Sequence, residues 1–229
     1  MVNTGSQVAT TWAQLSSQAF LIAQPVNSTT YTTTNTTSYG TSTITYTNAS
    51  VSTQIRKSGY YTFTNTGGNI LFSFPSGLTQ MNAGFSIGFF INISNSSTAY
   101  TLALLPAPSA YRWGFGIQLD GSINSNKLTV STQYPSNQPS LNTVYENTKF
   151  VNNTWIHYTI TYANDTGLVS LYKNGVLQSQ AIQYSGLTNV GWYSKFGFYD
   201  VNSSYYCDGI YCFNRPLDPS EVSLLYANS

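Results

Sequence analysis

The sequence predicts an all-β protein, two antiparallel sheets stacked as a sandwich, with a short C-terminal helical turn and an N-terminal arm. Three observations predict it. From about residue 58 onward, apolar and aromatic residues alternate with polar ones in short runs, the period of strands with one buried face. Turn residues separate the runs, among them an Asn-Gly pair. Only one segment, at the C-terminal end, carries a complete helix-start signature.

Taken in order, "TTWAQLSSQAFLIAQ" places Trp12, Leu15, Ala19, Ile22 and Ala23 at helical spacing and predicts a helix within residues 10–24. Asn27 to Ser50 is Thr-rich, and its β-branched content suits an extended arm or an edge strand, with a disordered linker as the alternative. The chain therefore divides into residues 1–40, an arm of short helix plus extended segment, and residues 41–229, the sandwich. "YYTFTN" and "NILFSFP" flank "TGG", a hairpin signature. Phe85, Ile87, Phe89, Ile91 and Ile93 alternate in "FSIGFFINIS", and "RWGFGIQLD" and "KLTVSTQY" follow as strands. "TWIHYTITY" sets Ile156, Tyr158, Ile160 and Tyr162 on one face and Trp155, His157, Thr159 and Thr161 on the other. "LVSLYK" and "VLQSQ" flank Asn174-Gly175, the residues a type I′ hairpin turn demands. "KFGFYDV" and "GIYCF" are the last strands. In "LDPSEVSLLYA", Asp218 caps, Pro219 takes the first helical position and Glu221 closes a capping box.

Charge excludes several functions. Only 7% of the 229 residues are charged and the formal net charge is +1. Nucleic acid demands a field that neutralises several phosphates, and Arg56-Lys57 is the only basic pair, so no nucleic-acid partner is expected. No apolar run approaches a membrane span. The residues before Arg56 hold no Lys or Arg and no apolar signal core. The polarity comes from Ser, Thr, Asn, Gln and Tyr, a composition of exterior surfaces, so either a signal was removed before Met1 or the chain leaves the cell by another route, such as a virus particle. Few carboxylates predict a stability that changes little from neutral pH to about pH 3. Cys207 and Cys212, read as extended, lie about 16 Å apart on opposite faces of a strand and are expected as buried thiols.

Once strung together, these segments resemble a known family. "NNTWIHYTITYANDTGLVSLYKNGVLQSQ" is similar to the central signature of laminin G-like, concanavalin A-like jelly-roll domains, with Trp155, His157, Gly167, Leu171, Tyr172 and Gly175 at the matching places. The ending resembles the family's closing strand and helical turn through Asp208, Asn214, Arg215, Leu217, Glu221 and Tyr226. The resemblance covers about residues 58–229. It implies a jelly-roll sandwich and roles in glycan binding, adhesion, accessory modules or virion proteins. A fold hosts many functions, so the site must decide.

His157 is the only histidine. A general base needs an orienting partner and a substrate group within about 3 Å; the matching family histidine lies inside a strand, and we read His157 as structural. Glycoside hydrolysis, which related jelly rolls perform, needs two carboxyls about 5–10 Å apart across the scissile bond. Here Glu146 sits in a polar loop, Glu221 starts the helix, and Asp120, Asp165, Asp200, Asp208 and Asp218 are isolated, with no acid-x-acid pair. No enzyme activity is expected. Family members hold a rim calcium, for which Asp120 and Asp200 are the candidates, but the ligand pattern does not match; no metal and no cofactor are expected. Trp192, Tyr193 and Trp113 are the candidate glycan-stacking residues, in aromatic segments beside turns. Of eight Asn-x-Ser/Thr sequons, Asn164, Asn202 and Asn92 are the candidate glycosylation sites.

The expected function is a non-enzymatic exterior recognition module: a virion structural or decoration protein with host glycan attachment, or in second place a secreted adhesin or carbohydrate-binding module. A glycosidase comes third. The expected partners are other structural proteins of the particle or cell surface, engaged through the N-terminal arm, together with glycans and further copies of the chain. The expected location is the virion surface or the extracellular space.

Overall fold

A computed structural model describes residues 8–23, 30–34, 41–47, 49–52, 56, 60–63, 69–73, 83–93, 100–104, 114–120, 127–133, 141–182, 195–199 and 205–229. In chain order the elements are α1 (Trp12–Ser17), β1 (Leu21–Ala23), β2 (Thr30–Thr34), β3 (Thr41–Thr47), β4 (Ala49–Ser52), β5 (Tyr60–Phe63), β6 (Asn69–Ser73), β7 (Gly84–Ile93) and β8 (Tyr100–Leu104). They continue with β9 (Gly114–Asp120), β10 (Lys127–Gln133), β11 (Leu141–Tyr145), β12 (Trp155–Ala163), β13 (Leu168–Lys173), β14 (Val176–Ile182), β15 (Lys195–Tyr199), β16 (Tyr205–Phe213) and α2 (Pro219–Asn228).

The fold is the expected antiparallel two-sheet arrangement. The first sheet runs β14-β13-β12-β7-β16-β5-β4, with β1 also paired to β16; the second runs β11-β10-β9-β8-β15-β6-β3-β2. β7 and β12 form the centre of the first sheet. Their register sets Phe85 against Tyr162, Ile87 against Ile160, Phe89 against Tyr158 and Ile91 against Ile156 on one face. That face is turned toward the second sheet, because Tyr158 donates its hydroxyl to Glu146, whose carboxylate also accepts from the backbone N–H of Leu128 on β10. The opposite face carries Ser86, Gly88, Phe90 and Asn92 beside Thr161, Thr159, His157 and Trp155. Helices cover much of it.

The Asn-Gly turn joins β13 to β14 as expected. Asn174 and Gly175 both have positive φ, 51° and 78°, and the strands pair antiparallel. The "TGG" hairpin does not form. Tyr60–Phe63 pairs with β4 and β16 in the first sheet, while Asn69–Ser73 pairs with β3 and β15 in the second. The connection crosses between sheets, a tertiary choice that a local turn signal does not report.

The N-terminal region departs further from expectation. The helix is only Trp12–Ser17, begun by a Thr11–Gln14 capping box. It stops because Phe20 donates its N–H to the carbonyl of Cys212 and Leu21–Ala23 adds to β16 as a strand. Strand pairing overrides a helical pattern that continued to Ala23. β2, from the Thr-rich stretch, is the edge strand of the second sheet. β1 and β2 thus lie within residues 1–40, and Ala9, Leu15 and Ala19 pack in the outer-face core.

The C-terminal helix starts as its sequence predicts, with the Asp218–Glu221 capping box and Pro219 in the first turn. Val222 and Leu225 on α2 join Leu15, Ala9 and Ala19 from the N-terminal segment, and Tyr172, Tyr211 and Phe213 from the sheet, in a second apolar core on the outer face. Leu225 fills the space left by Gly88: a Cβ there would meet Leu225 Cδ2 at 2.6 Å. The two thiols are buried and free. They do not take opposite faces. The register shifts between Asp208 and Tyr211, where Gly209 has φ 57°, so Cys207 faces Ile91 and Cys212 faces Ile87, on the same side. Burial pushes the Cys207 thiol well up and raises that of Cys212, so neither is poised as a nucleophile.

Candidate functional site

A jelly-roll hydrolase needs carboxyls that face a substrate, so the acids come first. Glu146, expected in a polar loop, is only 1% exposed. It follows β11, where it pairs with Leu128 through both backbone and side chain. Its Oε2 accepts from Tyr158 at 2.8 Å and lies 3.0 Å from Lys173 Nζ. One carboxylate therefore ties three strands from two sheets. Burial, followed by the Glu146 charge, pushes the Tyr158 hydroxyl well up, so it stays a donor.

The other buried acids described are equally committed. Asp208 accepts from Arg56 Nε and from the N–H of Gly209. Glu221 holds both terminal NH groups of Arg215 at 2.6 Å, the N–H of Ala9 at 2.7 Å and the N–H of Asp218. Gln18 Oε1 also accepts from Arg215, so the N- and C-terminal segments share one polar knot. Partial burial works against the Asp218 anion, but hydrogen bonds from Ser220 and Glu221 and the Arg215 charge hold its carboxyl below the ordinary value. Asp165 lies exposed in a turn, where it accepts from Thr166. The side chain of Asp120 and all of Asp200 lie outside the described residues. Among the described residues, no three His, Cys, Asp or Glu side chains form a metal-sized group.

His157 occupies the outer face at the centre of the sheet and is fully buried. Its backbone is fixed by Asn174, which accepts from the His157 N–H at 2.9 Å and donates to its carbonyl at 2.8 Å. The ring stacks between Phe90, 4.6 Å away, and Tyr226 of α2, 5.7 Å away. Neither ring nitrogen has a hydrogen-bond partner among the described residues. Arg56 lies 3.5 Å from the Phe90 ring centre, on that same face. Burial first, and the Arg56 charge second, lower the imidazole pKa from 6.5 to about 3. His157 is a neutral packing residue, and no described acid is hydrogen-bonded to its ring.

One row of the outer face is not sealed. Asn92 on β7 is flanked in register by Trp155 on β12 and Tyr206 on β16, and all three are partly exposed. Two aromatic rings about an amide, on adjacent strands roughly 4.8 Å apart, make a platform with the chemistry of sugar recognition. Alternation alone assigns Trp155 to the outer face. What the sequence could not supply is the register that brings Asn92 and Tyr206 beside it.

The candidates named from sequence fare unevenly. Trp192, Tyr193, Trp113 and Asn202 lie outside the described residues. Asn164 is 4% exposed, and its Oδ1 accepts from the buried Tyr162 hydroxyl. Asn92 sits mid-strand with a buried Oδ1. Both observations concern the Oδ1 atoms; a glycan would be carried on Nδ2. No helix among the described residues is long and apolar enough to cross a membrane, which leaves β-barrel spans unaddressed.

Comparison with known proteins matches this architecture. A family model described as the concanavalin A-like lectin/glucanases superfamily, of laminin G type, matches residues 64–223. The chain belongs to that family. No curated protein matches it. Among solved structures, the ligand-binding domain of botulinum neurotoxin serotype D in complex with N-acetylneuraminic acid is similar at 17% identity and TM-score 0.73, over 95% of this chain and 52% of that one. The receptor-binding domain of botulinum neurotoxin mosaic serotype C/D gives 17% identity and TM-score 0.70, over 94% and 52%. The serotype G binding domain gives 20% and 0.64, over 83% and 47%. The chain spans about half the length of these neighbours, and the likeness is one of fold.

Proposed function

We propose that this chain is a non-enzymatic glycan-recognition module displayed on an exterior surface. One observation carries the reading: each buried carboxylate described is consumed by a cation and by hydrogen bonds, in a sandwich of the lectin and glucanase superfamily. Hydrolysis needs a free acid and a free base. Recognition needs only shape, aromatic faces and amides.

The Trp155–Asn92–Tyr206 row is the proposed binding platform, with Trp192, Tyr193 and Trp113 as a second proposed set. Arg56 beside the row is neutralised by Asp208, so the platform suits a neutral pyranose ring. A neighbouring domain was solved with N-acetylneuraminic acid, which makes sialosides the comparison class to include. An array of neutral and sialylated oligosaccharides tests the reading. Binding that Trp155→Ala weakens at least tenfold supports it; the absence of binding to any sugar removes it.

The exterior surface in our reading is that of a virus particle, on the low-charge, Thr-, Asn- and Tyr-rich composition. A secreted cell-surface adhesin is the second reading. Labelling the protein in the native sample separates particle from cell. On a glycosylating host, Asn202 is the proposed acceptor, checked by mass spectrometry of the mature protein.

A further inference from the structure

The outer-face core contains one feature that neither packing nor sugar recognition requires. A titratable ring with no partner among the described residues sits beneath the last turns of α2. His157 is held between Phe90 and Tyr226, and a Cβ on Gly88 would meet both Leu225 Cδ2, at 2.6 Å, and His157 Nε2, at 3.4 Å, so Leu225 and the imidazole crowd the same space. The Tyr226 ring also rests on the Asn174-Gly175 turn, where a Cβ on Gly175 would meet it at 3.2 Å. The C-terminal half of α2 is therefore seated on the imidazole and its immediate neighbours.

The surrounding charges oppose a proton on that ring. From the segment before β5, Arg56 places a cation over the far side of Phe90. From β16, Asp208 shares the row, but it lies one strand beyond Phe90 and is engaged by Arg56 at 2.9 Å. From α2 and β13 the facing groups are the phenols of Tyr226 and Tyr172, the latter raised by burial. Two anions gather around Arg56 on the Phe90 side, Asp208 and the Ser229 carboxyl at the end of α2: a Cβ on Gly209 would meet Arg56 Nη2 at 3.4 Å, the Phe90 ring at 3.5 Å and the Ser229 carboxyl carbon at 3.8 Å, and no described residue is hydrogen-bonded to the imidazole. The charge is solvated when water reaches the ring, and Tyr226 and Leu225 are the α2 side chains packed against it.

We propose that His157 is an acid-operated latch for the C-terminal half of α2: proton uptake by the imidazole releases residues 223–228 from the sheet while β7 and β12 stay folded. Closed, the latch shields the apolar outer face. Open, it exposes Tyr172, Tyr211 and Phe213, the sheet residues beneath the helix. The proton comes from solvent and no covalent bond changes. The latch does not depend on the glycan reading, because the Trp155 row lies outside the helix footprint.

The test is native-state hydrogen exchange of the full chain at pH 7.0 and pH 4.5, corrected for intrinsic rates, each with and without low urea. With a free-imidazole pKa of 6.5, two pH units of tenfold linkage predict that protection of residues 223–228 falls by about 100-fold at pH 4.5. Local opening exposes little surface, so that protection stays insensitive to low urea, while protection in β7 and β12 declines with it. His157→Phe abolishes the pH response; His157→Gln, which keeps a polar side chain that does not titrate, serves the same purpose if Phe compromises folding. The proposal is overturned if 223–228 keep their protection in acid, if they follow urea as β7 and β12 do, or if the non-titrating variant responds equally.

Discussion

The two faces of the first sheet are built on different principles. The inner face is sealed by interlocking Ile, Phe and Tyr side chains, and Glu146, its one buried carboxylate among the described residues, is tied to Leu128, Tyr158 and Lys173. The outer face is covered by the two ends of the chain. It is held by a polar knot around Glu221, by Leu225 over Gly88, and by a histidine that keeps its nitrogens unpaired among the described residues. The inner face is optimised for permanence. The outer face combines apolar packing with a buried imidazole, and the proposed latch rests on that combination.

This contrast can be broken or sharpened in order of effect. Glu146→Ala leaves the buried Tyr158 hydroxyl and Leu128 N–H without their acceptor, while Lys173 keeps its contacts with Thr148 and Lys149; each unsatisfied buried donor costs about 1–3 kcal/mol. Urea denaturation should show the midpoint collapsing, and a loss under 1 kcal/mol contradicts the staple. Leu225→Ala opens a cavity over Gly88, expected to cost about 2–4 kcal/mol by the same measurement. An equal loss at Val222 is expected; a negligible one at both means that the outer core does not support the fold.

Acid comes next. The folded imidazole has a pKa below its unfolded value of 6.5, so the unfolded chain binds the proton first. Its contribution to stability is complete above 6.5 and is lost as pH falls from 6.5 toward 3. Between pH 7 and pH 5 this amounts to about 2 kcal/mol. This works against the expectation of a nearly pH-independent stability: scarce carboxylates limit acid sensitivity, while one buried neutral histidine adds to it. Calorimetry of wild type against His157→Phe isolates the difference, and parallel pH curves contradict it. Smallest, Asp218→Ala removes the helix cap and should cost about 1 kcal/mol, read from the melting temperature.

The sheet faces were legible because alternation is local. Ile156, Tyr158, Ile160 and Tyr162 are the inner face of β12 as their spacing indicates, and the Asn174-Gly175 turn needed only its own two residues. What failed depends on distant partners. Glu146 reads as a loop acid until Tyr158 and Lys173 are brought to it. Cys207 and Cys212 read as opposed until a bulge at Gly209 absorbs the odd residue. "TGG" reads as a hairpin until its flanks join different sheets. Of the candidate site, Trp155 could be placed on the outer face from sequence, whereas its grouping with Asn92 and Tyr206 required the strand register.

The measurement that bears most directly on recognition without cleavage is incubation of the purified chain with immobilised neutral and sialylated glycans, reading retained protein and new reducing ends together. The account predicts retention on a defined subset, weakened by Trp155→Ala, with no reducing ends released. Sugar release by the wild-type chain, abolished by replacing Asp120 or Asp200 with Asn, would contradict it.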